Sequence, residues 1–287
     1  MRIRDFEIKP GVMNAAFSMA KTPEDVQALA QTDIGAIVVG SITPEVQEEN
    51  PEPRWFPGEG YALNSFGMPN GGAEYYDEHL DEMTEIAHES DKAFILSVAG
   101  FSVADYGQLA ELAGRHEVDM VELNLGCPNI SVDGKQKPIA SYDLDYLRSI
   151  VEAAYDATKL PLSLKLSPYS NPAELERTAH TINKLPGVVS VVASNTFPNG
   201  MMFDNSGEPV LASKVGGLSG ADMKRIALGQ VWQFRKNLSD SIAVIGAGGI
   251  ESRRDVQLFR NAGASAVQAA TLMVRAGRHD AINDLFK

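Results

Sequence analysis

Short apolar runs of strand length recur along the chain, at Gly11–Ala16, Ala36–Val39, Phe94–Val98, Met120–Leu123, Leu162–Leu166, Val188–Ala193, Ala243–Ile245 and Ala266–Ala269. These runs are apolar at consecutive positions, the pattern of strands covered on both faces. Between them lie stretches with apolar residues three or four apart, which give a helix one face to lay on a sheet. Helix starts are marked by capping chemistry: a side-chain oxygen accepts a free amide hydrogen bond, and an acidic residue follows in the first turn. Thr22 with Asp25, Ser102 with Asp105, Asn171 with Glu174, Ser219 with Asp222 and Ser252 with Asp255 fit this rule. Alternating strand and helix predicts an α/β fold, a (β/α)8 TIM barrel formed by one domain over residues 1–287. A doubly wound sheet is the alternative, but Gly246-Ala247-Gly248-Gly249 lacks the third glycine of a dinucleotide fingerprint and lies near the C-terminus.

One stretch breaks the alternation. Ser41 to Asp77 is long and rich in Pro, Gly and Asn, as expected of an inserted loop or subdomain covering the C-terminal mouth of the barrel. Several strand-like runs also end on a polar residue or glycine: Asn124 after VEL, Lys165 within LSLKLS, Asn195 after VVAS and GAGG after AVI. In a parallel barrel such strand ends converge on one mouth.

Composition narrows the chemistry. The 287 residues carry a formal net charge of −13, which opposes nucleic acid and anionic membrane surfaces as partners. A single cysteine excludes an intrachain disulfide and a cysteine-held iron–sulfur cluster within this chain, and it suits a cytoplasmic setting. The first residues, MRIRDFEIKPG, carry two early arginines but no apolar core after them, so no export signal is expected. No uncharged apolar run approaches the roughly 20 residues needed to span a bilayer, so no membrane anchor is expected.

Cys127, in Asn124-Leu125-Gly126-Cys127-Pro128-Asn129, follows a predicted strand and precedes a polar loop. A thiol there would face the site, where it could take a proton, although a lone cysteine is often a packing residue. Asn64, Asn70, Asn124, Asn129 and Asn195 are each explicable as turn or cap residues. Together they supply the donors and acceptors that a planar cyclic amide needs. Gly216–Gly220, Gly246–Gly249 and Ala270-Thr271 follow predicted strands six, seven and eight, where barrels commonly hold a phosphate-bearing cofactor. Lys165 is either a packed lysine paired with a carboxylate or the cation beside a cofactor that carries negative charge. The five histidines show no metal-ligand spacing and are assigned to the surface.

NSFGMPN at Asn64–Asn70, ELNLGCPN at Glu122–Asn129, LKLSPY at Leu164–Tyr169, SNT at Ser194–Thr196, GGLSG at Gly216–Gly220 and GAGGI at Gly246–Ile250 occur in that order. With them the chain resembles, nearly end to end, the class 1 dihydroorotate dehydrogenases, as a divergent member. The cysteine in NLGCPN is similar to the class 1 base, whereas membrane-linked class 2 members use serine and carry an N-terminal extension. The resemblance implies oxidation of dihydroorotate to orotate in pyrimidine biosynthesis, with Cys127 taking the proton from C5 while hydride passes from C6 to FMN. It implies that Asn64, Gly67, Met68, Asn124, Asn129, Asn195 and Thr196 hold the substrate. FMN would be bound by Ala16, Ser41, Asn124, Lys165, Gly217, Gly248, Gly249, Ala270 and Thr271. The loop from Ile130 to Pro138 would close over the substrate. A homodimer is implied as well, with a separate electron-transfer subunit left open and several electron acceptors compatible with the chain.

Two positions depart from the family. Gly40 in VVGSIT replaces the usual lysine, a cation expected to meet the substrate carboxylate and the flavin, and Phe17 after MNAA replaces a glycine. Gly40 motivates a second reading, a flavin oxidoreductase acting on another cyclic amide or enone. A barrel without catalysis of its own, or one dependent on a redox partner, is the third.

Overall fold

The computed structural model of the chain describes residues 1–3, 6–127, 131, 132, 135, 136 and 138–287. Parallel strands β1 (Val12–Asn14), β2 (Ala36–Ile42), β3 (Ala93–Val98), β4 (Met120–Asn124), β5 (Leu162–Lys165), β6 (Val188–Val192), β7 (Ala243–Ala247) and β8 (Ala266–Ala269) close into a barrel in chain order. Helices α1 (Pro23–Ala30), α2 (Gly72–Glu89), α3 (Val103–Arg115), α4 (Leu144–Thr158), α5 (Pro172–Ile182), α6 (Lys224–Asn237) and α7 (Arg253–Asn261) each follow one of the first seven strands, and α8 (Thr271–Ala276) follows the last. All eight expected strands are present, and the barrel is closed where the alternative required an open sheet.

The caps form as the local chemistry dictates. Thr22 and Ser102 make reciprocal capping boxes with Asp25 and Asp105, and Asn171 and Ser252 cap α5 and α7 through side-chain oxygens. Ser219 does not start a helix. It closes the strand Gly216–Ser219, which pairs antiparallel with Ala62–Asn64; a short 3-10 turn at Ala221–Met223 then leads into α6 without a side-chain cap. Sheet pairing has claimed the backbone that a helix start would need.

Strand geometry resolves the runs that look apolar on both faces, because successive side chains point to opposite sides. Phe94, Leu96 and Val98 of β3 and Val121 and Leu123 of β4 pack outward in the layer shared with the helices. Met13, Val38, Ile95, Met120, Val192, Ile245 and Ala266 point inward as a separate apolar plug. Two residues further along the same inward faces, Ile95 gives way to Ser97, Met120 to Glu122 and Ala266 to Gln268, all buried. The interior is thus apolar at one end and polar at the mouth.

The irregular insertion supplies Trp55–Pro57 and Ala62–Asn64 to an antiparallel sheet of four strands, completed by Phe197–Gly200 and Gly216–Ser219. Leu63, Val210 and Leu211 form its small core. Asn70 is structural: its Oδ1 accepts from the Thr43 and Gly72 amides, and its Nδ2 donates to Thr43 Oγ1 and the Met68 carbonyl.

The surface assignment of the histidines holds for His180 alone, while the other four are half-buried with polar partners. His88, His116 and His279 meet carboxylates brought from elsewhere in the chain, which sequence spacing does not reveal, and His79 meets the Tyr75 carbonyl.

Candidate active site

At the C-terminal ends of the strands lies a solvent-open cleft. It brings together Ala16, Ser41, Asn64, Gly67, Met68, Asn124, Cys127, Lys165, Asn195, Thr196, Gly248, Gly249, Ala270 and Thr271. Their separation along the chain is spanned by the barrel, since each sits at or just past a strand end or on the inserted sheet.

One expected residue stands elsewhere. Gly217 is not among the lining residues; it lies in the inserted sheet, where its carbonyl accepts a hydrogen bond from Asn64 Nδ2 at 3.0 Å. It positions Asn64, and Ser219 two residues on faces the cleft instead. Asn129 lies outside the described residues, as do Ile130, Asp133, Gly134 and Lys137 of the loop expected to close over the substrate.

Beneath the cleft a hydrogen-bond chain starts from a carboxylate. Glu122 is fully buried, and its Oε1 accepts from Ser97 Oγ at 3.0 Å while its Oε2 accepts from Gln268 Nε2 at 2.7 Å. A carboxylate only accepts, so the Ser97 hydroxyl proton is committed to Glu122. The 2.9 Å contact between Ser97 and Ser41 then has Ser41 as donor, which leaves Ser41 Oγ to accept from Asn124 Nδ2 at 2.8 Å. Asn124 Oδ1 in turn accepts from Asn195 Nδ2 at 3.1 Å. The orientation of both asparagine amides is thereby propagated from Glu122.

Lys165 Nζ lies 3.9 Å from Glu122 Oε1, with the lysine side chain 7% exposed and the glutamate side chain fully buried. Either charge alone would be costly at such depth, and the pair, with Ser97 and Gln268 on the carboxylate, offsets that cost. A bound cofactor is therefore not needed to balance Lys165. The reading of this lysine as paired with a carboxylate holds, and the residue also lines the cleft.

Sequence reasoning passed over Glu122, Ser97 and Gln268. Their signal was parity: each is a polar residue inside an apolar run, two positions from a residue of the inward plug, and Glu122 is also two positions before Asn124. Lys21, Trp55 and Ser194, which also line the cleft, had no comparable mark. Phe17, the noted departure near the first strand, is half-buried and lines it too. Among the described residues no group of three or more His, Cys, Asp or Glu is placed to hold a metal ion, and no helix is long and apolar enough to cross a membrane.

A family model described as Dihydroorotate dehydrogenase matches residues 1–283. The chain is 31% identical over 278 residues to a protein of Streptococcus agalactiae named putative dihydroorotate dehydrogenase A (fumarate), covering 96% of this chain and 87% of the relative. It is 33% identical over 272 residues to dihydroorotate dehydrogenase (fumarate) of Trypanosoma cruzi, covering 92% and 84%. Identity to dihydroorotate dehydrogenase A (fumarate) of Lactococcus lactis is 33% over 270 residues, covering 92% and 85%. The fold is similar to that of the Eimeria tenella enzyme solved with ferulenol, at a TM-score of 0.80 and 23% identity over 99% of this chain and 81% of that one. With the family model matching nearly the whole length, and the cysteine and asparagines gathered at one barrel mouth, the chain belongs to the dihydroorotate dehydrogenase family.

Proposed function

We propose that the protein is an FMN-dependent dihydroorotate dehydrogenase that oxidises dihydroorotate to orotate. The observation that carries this reading is the meeting of Cys127 with Asn64, Asn124 and Asn195 in the cleft beside Lys165. Each asparagine amide offers a donor and an acceptor, the complement of a ring bearing alternating N–H and C=O groups. The network from Glu122 holds two of those amides in fixed orientation before substrate arrives, a preorganisation that positioning requires. Cys127, as thiolate, takes the proton from C5 of the substrate.

The residues present fit a flavin. Gln268 lines the cleft and its buried Oε1 has no hydrogen-bond partner, an acceptor suited to a ring N–H. Gly248 and Gly249 adopt φ of +108° and +73°, and a Cβ at Gly249 would lie 2.6 Å from the Gly220 carbonyl oxygen. The bare backbone there suits close approach by a phosphate-bearing group. Ala16, Ser41, Asn124, Lys165, Gly248, Gly249, Ala270 and Thr271 would hold FMN, with Ser219 in the role assigned to Gly217. When bound, FMN supplies the acceptor for the hydride that leaves C6.

The proposal extends to a homodimer in the cytoplasm and to fumarate, which the relatives' names carry, as the first electron acceptor to try. Purified protein should be yellow and should bleach anaerobically on titration with dihydroorotate, then recover colour with fumarate. A yellow protein that does not bleach would refute the substrate and leave the flavoprotein standing. Gly40 favours a second reading, a flavin oxidoreductase of the same family acting on another cyclic amide or enone, and a substrate panel followed at the flavin absorbance band separates the two.

A further inference from the structure

Gly40 sits at the end of β2 facing the cleft with φ +116°, and a Cβ placed on it would lie 2.4 Å from the Ser97 carbonyl oxygen and 2.9 Å from the Ile42 amide nitrogen. No side chain, lysine included, fits this backbone. The Gly40 N–H donates to the Ala20 carbonyl at 2.9 Å, which ties the end of β2 to the loop between β1 and α1. The next residue on that loop is Lys21. Its own N–H donates to Asp25 Oδ2 at 2.9 Å, so its backbone is held on both sides, and the residue lines the cleft.

The Lys21 ammonium makes no hydrogen bond or ion pair with the described residues. The nearby carboxylates are engaged otherwise: Asp25 caps α1 and meets His279 Nε2 at 3.1 Å, and Glu49 pairs with Arg54. Arg54, the neighbouring cation, is also bound to Glu52 at 2.9 Å. Burial lowers the Lys21 pKa, against the pull of Glu49 and Asp25 and with the push of Arg54, as expected for a cation short of compensating contacts. Lys165, the other lysine of the cleft, has Glu122. The cleft is therefore lined by one cation paired with a carboxylate, Lys165, and by one, Lys21, with no hydrogen bond or ion pair to the described residues.

We propose that the Lys21 ammonium anchors the carboxylate of the substrate, acting from the β1–α1 loop where no side chain can act from position 40. The inference rests on the dihydroorotate reading and sharpens it, since a neutral pyrimidine would gain nothing from this lysine. Lys21 contributes to binding before the chemistry and equally during it, so its loss acts on KM rather than on kcat.

The test uses holoenzyme carrying Lys21→Met or Lys21→Arg, with orotate and uracil binding measured by calorimetry alongside dihydroorotate turnover. Wild type should prefer orotate to uracil. Lys21→Met should weaken orotate and raise KM for dihydroorotate by about tenfold or more, while uracil binding and kcat change by less than about threefold. Lys21→Arg, which keeps the charge, should retain most of the orotate preference. Equal orotate affinity in Lys21→Met and wild type, equal weakening of both ligands, or no orotate preference in wild type would each overturn the inference. If wild type is not reduced by dihydroorotate, the proposed activity fails, while the orotate and uracil affinities of wild type and variants still decide the role of Lys21.

Discussion

The two ends of the barrel interior are built on the same strands and hold together by different physics. At the N-terminal end Met13, Val38, Ile95, Met120, Val192 and Ile245 fill the space with aliphatic and thioether groups. At the mouth, one inward step further along β3, β4 and β8, Ser97, Glu122 and Gln268 are equally buried but joined by directed hydrogen bonds. The apolar plug depends on volume, and groups of similar size can substitute for one another. The polar end depends on partners, and removing one group strands the others. A change at the mouth should therefore reach further than a change of similar size at the plug.

The sharpest separation concerns chemistry. Cys127→Ala should slow reduction by dihydroorotate by about 10²–10⁴-fold with flavin content unchanged, as read by anaerobic stopped-flow absorbance; a rate near wild type would take the thiol out of the reaction. Next is the floor of the site. Glu122→Ala leaves the Lys165 ammonium without its counter-charge and strips Ser97 and Gln268 of their acceptor, so unfolding free energy should fall by about 3–5 kcal/mol. Glu122→Gln keeps the shape but supplies an N–H where the network needs an acceptor, and it should weaken flavin retention as well as stability. At the plug, Ile95→Val should cost only about 0.5–1.5 kcal/mol and leave KM and kcat unchanged. If denaturant unfolding gave Glu122→Ala and Ile95→Val equal losses, the contrast between the two ends would collapse.

The smallest effect lies outside the barrel and serves as a control. His116 joins α3 to α2 through Asp81 at 2.7 Å and Asp77 at 3.0 Å. Burial opposes its charge, but the hydrogen bonds to Asp81 and Asp77 outweigh burial and raise its pKa above 6.5. A raised folded-state value means that the stabilisation is fully present below about pH 6.5 and is lost as pH rises through the raised folded value. His116→Asn should therefore destabilise by up to about 1 kcal/mol at pH 5.5 and by less at pH 9, with turnover unaffected at both. A larger cost at the alkaline end would reverse the assignment.

Much of this was legible from local chemistry. The strand runs, the capping boxes at Thr22 and Ser102, and the strand-end positions of Asn124, Lys165 and Gly248 depend on neighbours within a few residues, so local pattern suffices to find them. Ser219 was misread because its partner, Ala62, lies far back in the chain, and a cap motif cannot report competition from a distant strand. Asn70 was read as a ligand candidate although its hydrogen bonds close on Thr43 and Gly72. Glu122 was visible in the apolar run and passed over, since only the closed barrel shows that its face is shared with Ser97 and Gln268.

Gly40 shows the same division. The sequence by itself determined that glycine, and not the lysine usual in the family the chain resembles, stands at the end of β2, because residue identity and motif order are local facts. Tertiary structure decided why none could stand there and which residue stands beside it, through the Ser97 carbonyl at the Gly40 Cβ position and the hydrogen bond that brings Ala20, and with it Lys21, to the same edge of the cleft. Proximity between loops is set by how the barrel closes, and barrel closure depends on every strand at once.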